Sequence, residues 1–307
     1  MEGITEIIRK KALELGFDAC GFAHAHKVDD KAISKYSEWL ADGKNDCMDY
    51  ATRYQNLRND PCELFPGAKT IISVAANYLP SIRQDAHSPQ FALYAYGQDY
   101  HDIVRNKLKT LEQFIADNWG AESRVCVDTA PIMEKYWARE AGIGFIGRNN
   151  LLIIPGKGSF FFLGELITTL ELTPDKPCTL SCGNCNRCVD ACPGNALLYH
   201  NSLDARKCLS CQLIERRGEL PQWVAEKVGN RVYGCDTCQL CCPHNSQASP
   251  THIEEFQPST DFLNLTHDSI ATMTPESFKS VFGKSAVKRV KLEGLQRNIL
   301  LNIFKNI

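Results

Sequence analysis

Two kinds of hydrophobic pattern alternate along the first 177 or so residues: apolar positions at helical spacing, and compact β-branched runs. Thr5 to Leu15 has the helical kind and is ended by Gly16, and Ala19 to Phe22 follows as a short strand. Lys31 to Leu40 places Ile33, Tyr36 and Leu40 on one helical face. Lys69 to Asn77 reads as a buried strand, because its β-branched run is bounded by Pro66-Gly67 and Pro80. Asp99 to Asn118 is a long amphipathic helix with Ile103, Val104, Leu108, Leu111 and Ile115 in register, and Ser123 to Val127 is a strand. Ile132 to Ala141 is a helix ended by Gly142. Leu151 to Ile154 and Ser159 to Thr169 read as two strands joined by the turn Pro155-Gly156-Lys157-Gly158. This order predicts an α/β domain with a mixed sheet over residues 1–177. Pro243 to Asp261, rich in Pro, Ser, Asn and Gln, is a linker or a wrapping loop. Asp268 to Ile307 is helical by pattern, so 251–307 is expected to be a helical C-terminal segment.

Composition narrows the class. With 307 residues the chain exceeds a usual single-core domain, so two or three domains are expected. No run approaches the ~20 apolar residues of a membrane span; the longest candidate, Ser159 to Leu170, is broken by Gly164 and Glu165. The N-terminal residues form an amphipathic helix, with charges interrupting every apolar run, and not a signal peptide. A cytoplasmic, reducing location without membrane attachment is therefore expected. The net charge of −2 gives no overall attraction to nucleic acid, yet from Lys279 to Lys305 there are seven Lys or Arg and one acidic residue, Glu293.

Ten of the fifteen cysteines lie between Cys182 and Cys242. Cys182-x2-Cys185-x2-Cys188-x3-Cys192-Pro193 is the run that supplies three thiolates to one [4Fe-4S] cluster and a fourth, next to proline, to another. Its partner is Cys235-x2-Cys238-x3-Cys242-Pro243. Cys182, Cys185 and Cys188 with Cys242 make one site. Cys192, Cys235 and Cys238 plus one of Cys208, Cys211 or Cys241 make the other. A zinc ribbon also uses CxxC pairs, but eight thiolates from two Pro-terminated runs point to a ferredoxin-like two-cluster module over 178–250. An electron relay of this kind beside a large α/β domain implies a further redox group there, flavin or corrinoid. No GxGxxG opens a helix after a strand, so a Rossmann nucleotide site has no support.

Further motifs run the length of the chain: Tyr94-x2-Gly97-x-Asp99-Tyr-His101, Asp128-Thr-Ala-Pro131, Glu140-Ala-Gly-Ile-Gly144, Gly147-Arg-Asn-Asn150, Gly158-Ser-Phe-Phe-Phe-Leu-Gly-Glu165 and Asn230-Arg-Val-Tyr-Gly-Cys-Asp236. Together with the cysteine runs they resemble the epoxyqueuosine reductase family, from about residue 5 to about 304. The resemblance implies a cytoplasmic tRNA-modifying oxidoreductase that completes queuosine at the wobble position. It would use cobalamin, held as cob(II)alamin, fed by two [4Fe-4S] clusters. It also implies Cys208 as the fourth ligand beside Cys192, Cys235 and Cys238, leaving Cys211 and Cys241 as extra thiols. Cobalamin contacts are implied at Arg53, Leu152, Ile154, Leu163, Leu209, Gly234, Cys235 and Asp236, with plain core packing as the alternative for each.

Asp128 matches the family's proton donor, which the resemblance places beside cobalamin to protonate the oxygen leaving an epoxide. Its pKa would be raised there by desolvation beside a large apolar ring. From the residues alone it is a helix N-cap ahead of Pro131. His101 is expected to be a capping or core histidine and not a cobalt ligand, and His24 and His26 surface residues. The basic stretch, Lys279, Lys284, Lys288, Arg289, Lys291, Arg297 and Lys305, is expected to contact the phosphates of a tRNA anticodon stem-loop. The family commonly continues with HEAT-like repeats, whereas this chain stops at Ile307, so its tRNA footprint is expected to be smaller. An external electron donor and a monomer are expected. The competing functions are a corrinoid dehalogenase-like enzyme and an iron–sulfur electron-transfer subunit.

Overall fold

The structure, a computed structural model, describes residues 3–198 and 202–303. Its centre is a four-stranded sheet of β1 (Ala19–His24), β2 (Thr70–Asn77), β3 (Ser123–Cys126) and β4 (Phe161–Thr168), in spatial order β1-β2-β4-β3. All neighbouring pairs are antiparallel, so the expected mixed sheet is not formed. The cause is the position of β4. It inserts between β2 and β3, so those two run in the same direction without ever pairing. A parallel pair does form outside this sheet, where Gln90–Phe91 meets Arg231–Tyr233 and ties the first stretch to the cysteine-rich one.

Each face of the sheet has its own cover. α1 (Ile4–Glu14) and α3 (Tyr100–Trp119) pack on one side, burying Ile8, Ala12, Val104, Leu108, Leu111 and Ile115. Gly164 makes that approach possible, because a Cβ there would sit 2.8 Å from Leu108 and 2.9 Å from Val104. α4 (Glu134–Glu140) covers the other side, with Trp137 against Ile71 and Ile167 and Ala138 against Ala75 and Leu163. α2 (Asp30–Ala41) buries none of its residues fully; Tyr36 and Trp39 hydrogen-bond the backbone of Ala51 and Leu203.

The expected hairpin across Pro155–Gly158 is also corrected. Leu152–Ile153 pairs with Phe145–Ile146 and not with β4. The turn closes through an Ile154–Gly158 bridge, and Ser159 N then donates to Asn245 Oδ1 at 2.7 Å, which turns the chain aside before β4 begins.

The 243–261 segment wraps the molecule. Asn77 Nδ2 donates to Ser249 O and Thr251 N to Leu79 O, each at 2.8 Å, while Ile253 and Phe256 are buried. The C-terminal stretch is helical as expected, through 267–271, 275–282 and a last helix, Lys291–Ile303. Phe282, Val287, Leu295 and Ile299 join the same apolar core as Ile8, Leu108 and Tyr233. Among the described residues no helix is long and apolar enough to cross a membrane.

Gly97 carries the wrap. Gln98 N donates to Glu255 O at 2.7 Å, and a Cβ on Gly97 would run into the backbone of Glu255 and Phe256. Overpacking against backbone costs about 1–3 kcal/mol. Gly97→Ala is expected to lower the denaturant midpoint and to expose the amides of 251–257 to hydrogen exchange. Unchanged protection there would mean that the wrap is held elsewhere.

Candidate active site and metal-ligating cysteines

Cys182, Cys185, Cys188 and Cys242 line one cavity, together with Arg148, Asn149, Ile153, Pro243 and His244. The turn is tight, with Cys185 N donating to Cys182 O at 3.1 Å, and Arg148 N points at Cys182 Sγ from 3.4 Å. Burial pushes the Cys188 thiol up to about 11, helped by Cys241, Cys182 and Cys242. Cys192, Cys208, Cys235 and Cys238 gather separately. Burial, with Cys235, Cys208 and Cys192 as neighbours, raises the Cys238 thiol, and burial raises Cys208 to about 11. The crossing read from spacing is thus present in space: each run sends one cysteine to the other's group. Two sets of four thiols match the donor chemistry of iron–sulfur cubanes.

The extra thiols part company. Cys211, on the short helix Leu209–Ile214, lies with its Sγ 3.9 Å from that of Cys47. Asp46 beside them is taken by Arg216 and Gln212. Cys241 stays near Cys185 and Cys192 and donates to Cys238 O. Cys178, which the spacing did not single out, packs with Cys182 against Phe145 and Ile153.

Asp128 follows β3 in a left-handed conformation, φ 50°, and its side chain is half-exposed. It is not an N-cap: α4 starts at Glu134, and Glu134 Oε1 reaches back to accept from Asp128 N at 2.5 Å. His101 is neither cap nor core residue. Asp99 caps α3, and the His101 ring bridges two carboxylates, with Nδ1 2.7 Å from Asp99 Oδ1 and Nε2 3.0 Å from Asp128 Oδ2. Lys288 Nζ completes the chain at 2.7 Å from Asp99 Oδ2. Burial opposes a charge on His101, but its bonds to Asp128 and Asp99 outweigh this and raise it to about 9. Burial likewise pushes Asp128 up, yet His101, Tyr100 and Arg289 more than reverse it, so Asp128 is held below its ordinary value. The expected upward shift is therefore corrected: at neutral pH the pair's proton sits on His101.

The apolar residues named for a corrin fall into two groups. Leu152, Ile154 and Leu163 cluster with Ala75, Ala138, Ile143 and Phe161. Ala138 lies one helical turn beyond Glu134, which puts this cluster on the same face of α4 as the Asp128 contact. Leu209 and Cys235 belong to a second cluster with Leu213, Val224 and Val228. Gly234, φ 71°, has Ala92 where a Cβ would go, and Asp236 Oδ2 accepts from Leu93 N at 2.6 Å. Arg53 is exposed at the end of the 3-10 turn Asp49–Thr52.

The basic stretch divides. Lys279, Lys284 and Lys291 are exposed and carry no ion pair among the described residues. Lys288 is committed to Asp99, and Arg289 to Glu215 at 2.7 and 2.5 Å, with Tyr50 under its guanidinium. Arg297 donates to Arg216 O, Gly218 O and Asn298 Oδ1. Lys305 lies outside the described residues. His24 and His26 are exposed, as expected. The pattern reading gave no role to Glu134 or to Glu165. The signal for Glu165 was a lone carboxylate inside the apolar run Phe160–Ile167.

Two family models match the chain: "Epoxyqueuosine reductase QueG, DUF1730" over residues 58–129 and "4Fe-4S double cluster binding domain" over residues 181–245. The epoxyqueuosine reductase of Cyclobacterium marinum is 42% identical over 303 residues, covering 97% of this chain and 96% of its own. A crystal structure of epoxyqueuosine reductase with an epoxyqueuosine-modified tRNA-Tyr stem loop superposes with a TM-score of 0.89 at 30% identity, covering 97% of this chain and 80% of that one. The Bacillus subtilis enzyme, with its catalytic aspartate loop swung out of the active site, gives 0.88 at 29% identity over 97% and 80%.

The bridged histidine makes stability pH-dependent. Its folded value, about 9, exceeds the ~6.5 of a free histidine, so its contribution is complete below about 6.5 and is lost as pH rises through 9. Asp99 and Asp128 are held low, so their contributions are present above ~4 and fade as pH falls. The denaturant midpoint of the wild type is expected to drop on the alkaline side, and that of His101→Asn to stay flatter there. Equal slopes would show that His101 is not charged in the folded protein.

Proposed function

Because the chain belongs to the epoxyqueuosine reductase family, we propose that Asp128 and His101 form the acid of an epoxide-reducing site fed by two iron–sulfur clusters. The protein is an oxidoreductase of tRNA modification that reduces epoxyqueuosine to queuosine in tRNA. The observation that carries the acid assignment is the half-exposed Asp128 carboxylate, held by His101 and set one turn of α4 from the Leu152/Ile154/Leu163 cluster.

Cobalamin is the group that those apolar residues fit. Leu152, Ile154 and Leu163 would hold it from the sheet side, and Leu209, Gly234, Cys235 and Asp236 from the cysteine-rich side, with Arg53 at the rim. When bound it supplies the reducing equivalents for the substrate, refilled by clusters on Cys182, Cys185, Cys188 and Cys242 and on Cys192, Cys208, Cys235 and Cys238, which an external donor reduces.

Opening the epoxide and expelling its oxygen takes up two electrons and two protons and releases water. His101, protonated at neutral pH, keeps a proton in the pair, and Asp128 presents it on the open side to the leaving oxygen. The fixed Lys288–Asp99–His101 chain orients the ring. The Bacillus subtilis relative has its catalytic aspartate on a loop that swings, and the left-handed Asp128, whose N donates to Glu134 Oε1 on α4, would sit in such a loop.

The anticodon stem-loop would bind through phosphate contacts from Lys279, Lys284 and Lys291, with Lys288, Arg289 and Arg297 shaping the rim through their ion pairs and backbone bonds. The wobble base would leave its stack to reach the site. The α/β part, 1–177, would carry the reaction, 178–250 the relay and 251–307 the RNA contacts, in a cytoplasmic monomer.

Asp128→Asn is expected to keep its iron and corrinoid while kcat on a modified stem-loop falls about 10²–10⁴-fold. Turnover at the wild-type rate would remove Asp128 from the reaction. Iron and acid-labile sulfide are each expected near ~8 per chain. Cys192→Ala should damage the cluster on Cys208, Cys235 and Cys238; loss of the other cluster alone would overturn the crossed assignment.

A further inference from the structure

Glu165 is the most anomalous side chain in the molecule. It sits in the middle of β4, fully buried, and neither carboxylate oxygen has a hydrogen-bond partner among the described residues. Its cross-strand neighbours are Ser73 on β2 and Cys126 on β3, so all three project to the face covered by α4. Ser73 Oγ and Trp137 Nε1 on that face are also buried without partners. An isolated buried carboxylate is so costly that the group takes up a proton instead.

Its ionisable neighbour is Glu134, whose Oε1 accepts from Asp128 N. Burial raises both carboxyls; Asp128 raises Glu134 further, and Glu134 raises Glu165. The groups facing Glu134 are Cys126 on β3 and Asp128 after it, Tyr100 and His101 from α3 and Lys135 on α4 itself; the Lys135 ammonium is turned to Asn150 O at 2.8 Å. Cys126 faces Glu165 from β3. The Asp128 N–H, Lys135 and His101 favour ionisation of Glu134, and burial with the Asp128 carboxylate outweighs them.

We propose that Glu134, with Glu165 buried behind it, holds the second proton of the active site. This rests on reading Asp128 as the acid. The reaction consumes two protons, and the Asp128–His101 pair carries one at neutral pH. Once that proton has gone to the leaving oxygen, the Glu134 O–H bond breaks and a new O–H bond forms on the Asp128 carboxylate. Glu134 is left as a carboxylate beside His101 and Lys135, and is reprotonated from solvent through half-exposed Asp128. Glu165 stays neutral throughout. It is a positioning residue whose proton, shared in one buried pocket, keeps Glu134 from ionising early. The unpartnered Ser73 Oγ and Trp137 Nε1 offer a buried water the polar partners it needs to bridge the two acids.

The test is infrared difference spectroscopy of the cobalamin- and cluster-loaded enzyme across neutral to alkaline pH, following protonated-carboxyl C=O bands and their shift in D2O. The wild type is expected to show two such bands, one that persists and one that is lost above neutrality. Glu165→Gln should remove the persistent band and move the second to lower pH. Glu134→Gln, whose amide oxygen still accepts from Asp128 N, should remove the titrating band. It should also lower kcat by about tenfold or more with KM unchanged, and the alkaline limb of the Glu165→Gln rate profile should move toward neutral pH. Bands that survive in both variants, or a Glu165→Gln profile identical to wild type, would overturn the proposal while leaving Asp128 in place. Full turnover in Asp128→Asn would remove the reading on which it rests while leaving the bands intact.

Discussion

The insertion of β4 between β2 and β3 is the constraint on which the site depends. Pairing on both edges fixes its register, Ser73 to Glu165 to Cys126, and alternation then decides which side chains face α3 and which face α4. Phe162, Gly164 and Leu166 go to the α3 side, where the missing side chain at Gly164 lets the helix approach. Leu163, Glu165 and Ile167 go to the α4 side. A slip of one residue would send Glu165 into the packed α3 interface and turn Gly164 toward the catalytic face. The antiparallel order also brings the end of β3 beside the start of α3, so Asp128 and His101 meet although 27 residues separate them.

A second constraint comes from the cysteine runs. Each contributes one thiol to the other's group, so the two must fold against each other before either donor set is complete. The cavity on Cys182, Cys185, Cys188 and Cys242 also borrows Arg148, Asn149 and Ile153 from the α/β part. Asn245, three residues past Cys242, accepts from Ser159 N just before β4. The relay is thereby bonded into the turn that leads to the strand carrying Leu163 and Glu165.

Much of this was legible in sequence. Local periodicity locates the strands of Ile71–Ala76 and Phe161–Thr168 and the long helix of Val104–Ile115, because each is buried on faces that the side-chain pattern records directly. Cysteine spacing marked seven candidate donors, since the turn geometry of CxxC is local, but left the eighth open among Cys208, Cys211 and Cys241. Pairing partners were not legible. Nothing in Leu152–Ile153 says that its partner is Phe145–Ile146 and not the next strand, because Asn245, far away in sequence, turns the intervening chain. The electrostatics of Asp128 were misread for the same reason. Desolvation could be anticipated from an apolar site, but the imidazole that reverses it comes from another element.

The basic residues near the C-terminus show how a charge pattern can have more than one use. Read as a run, they look like a single phosphate-binding surface. In the structure Lys288 neutralises Asp99 beside the His101–Asp128 pair, and Arg289 neutralises Glu215 over Tyr50. Asp99 is only 9% exposed. Without Lys288 its carboxylate would draw harder on His101, and the proton would be held more tightly in the pair than release to a leaving oxygen requires. The same segment that presents Lys284 and Lys291 to solvent is therefore also tied to His101 through Asp99, whose N donates to Lys284 O at 2.6 Å. A phosphate that drew Lys288 toward itself would weaken the Asp99 contact and change the proton affinity of His101. Substrate binding and acid strength would then be linked through one lysine, with no movement of the sheet required.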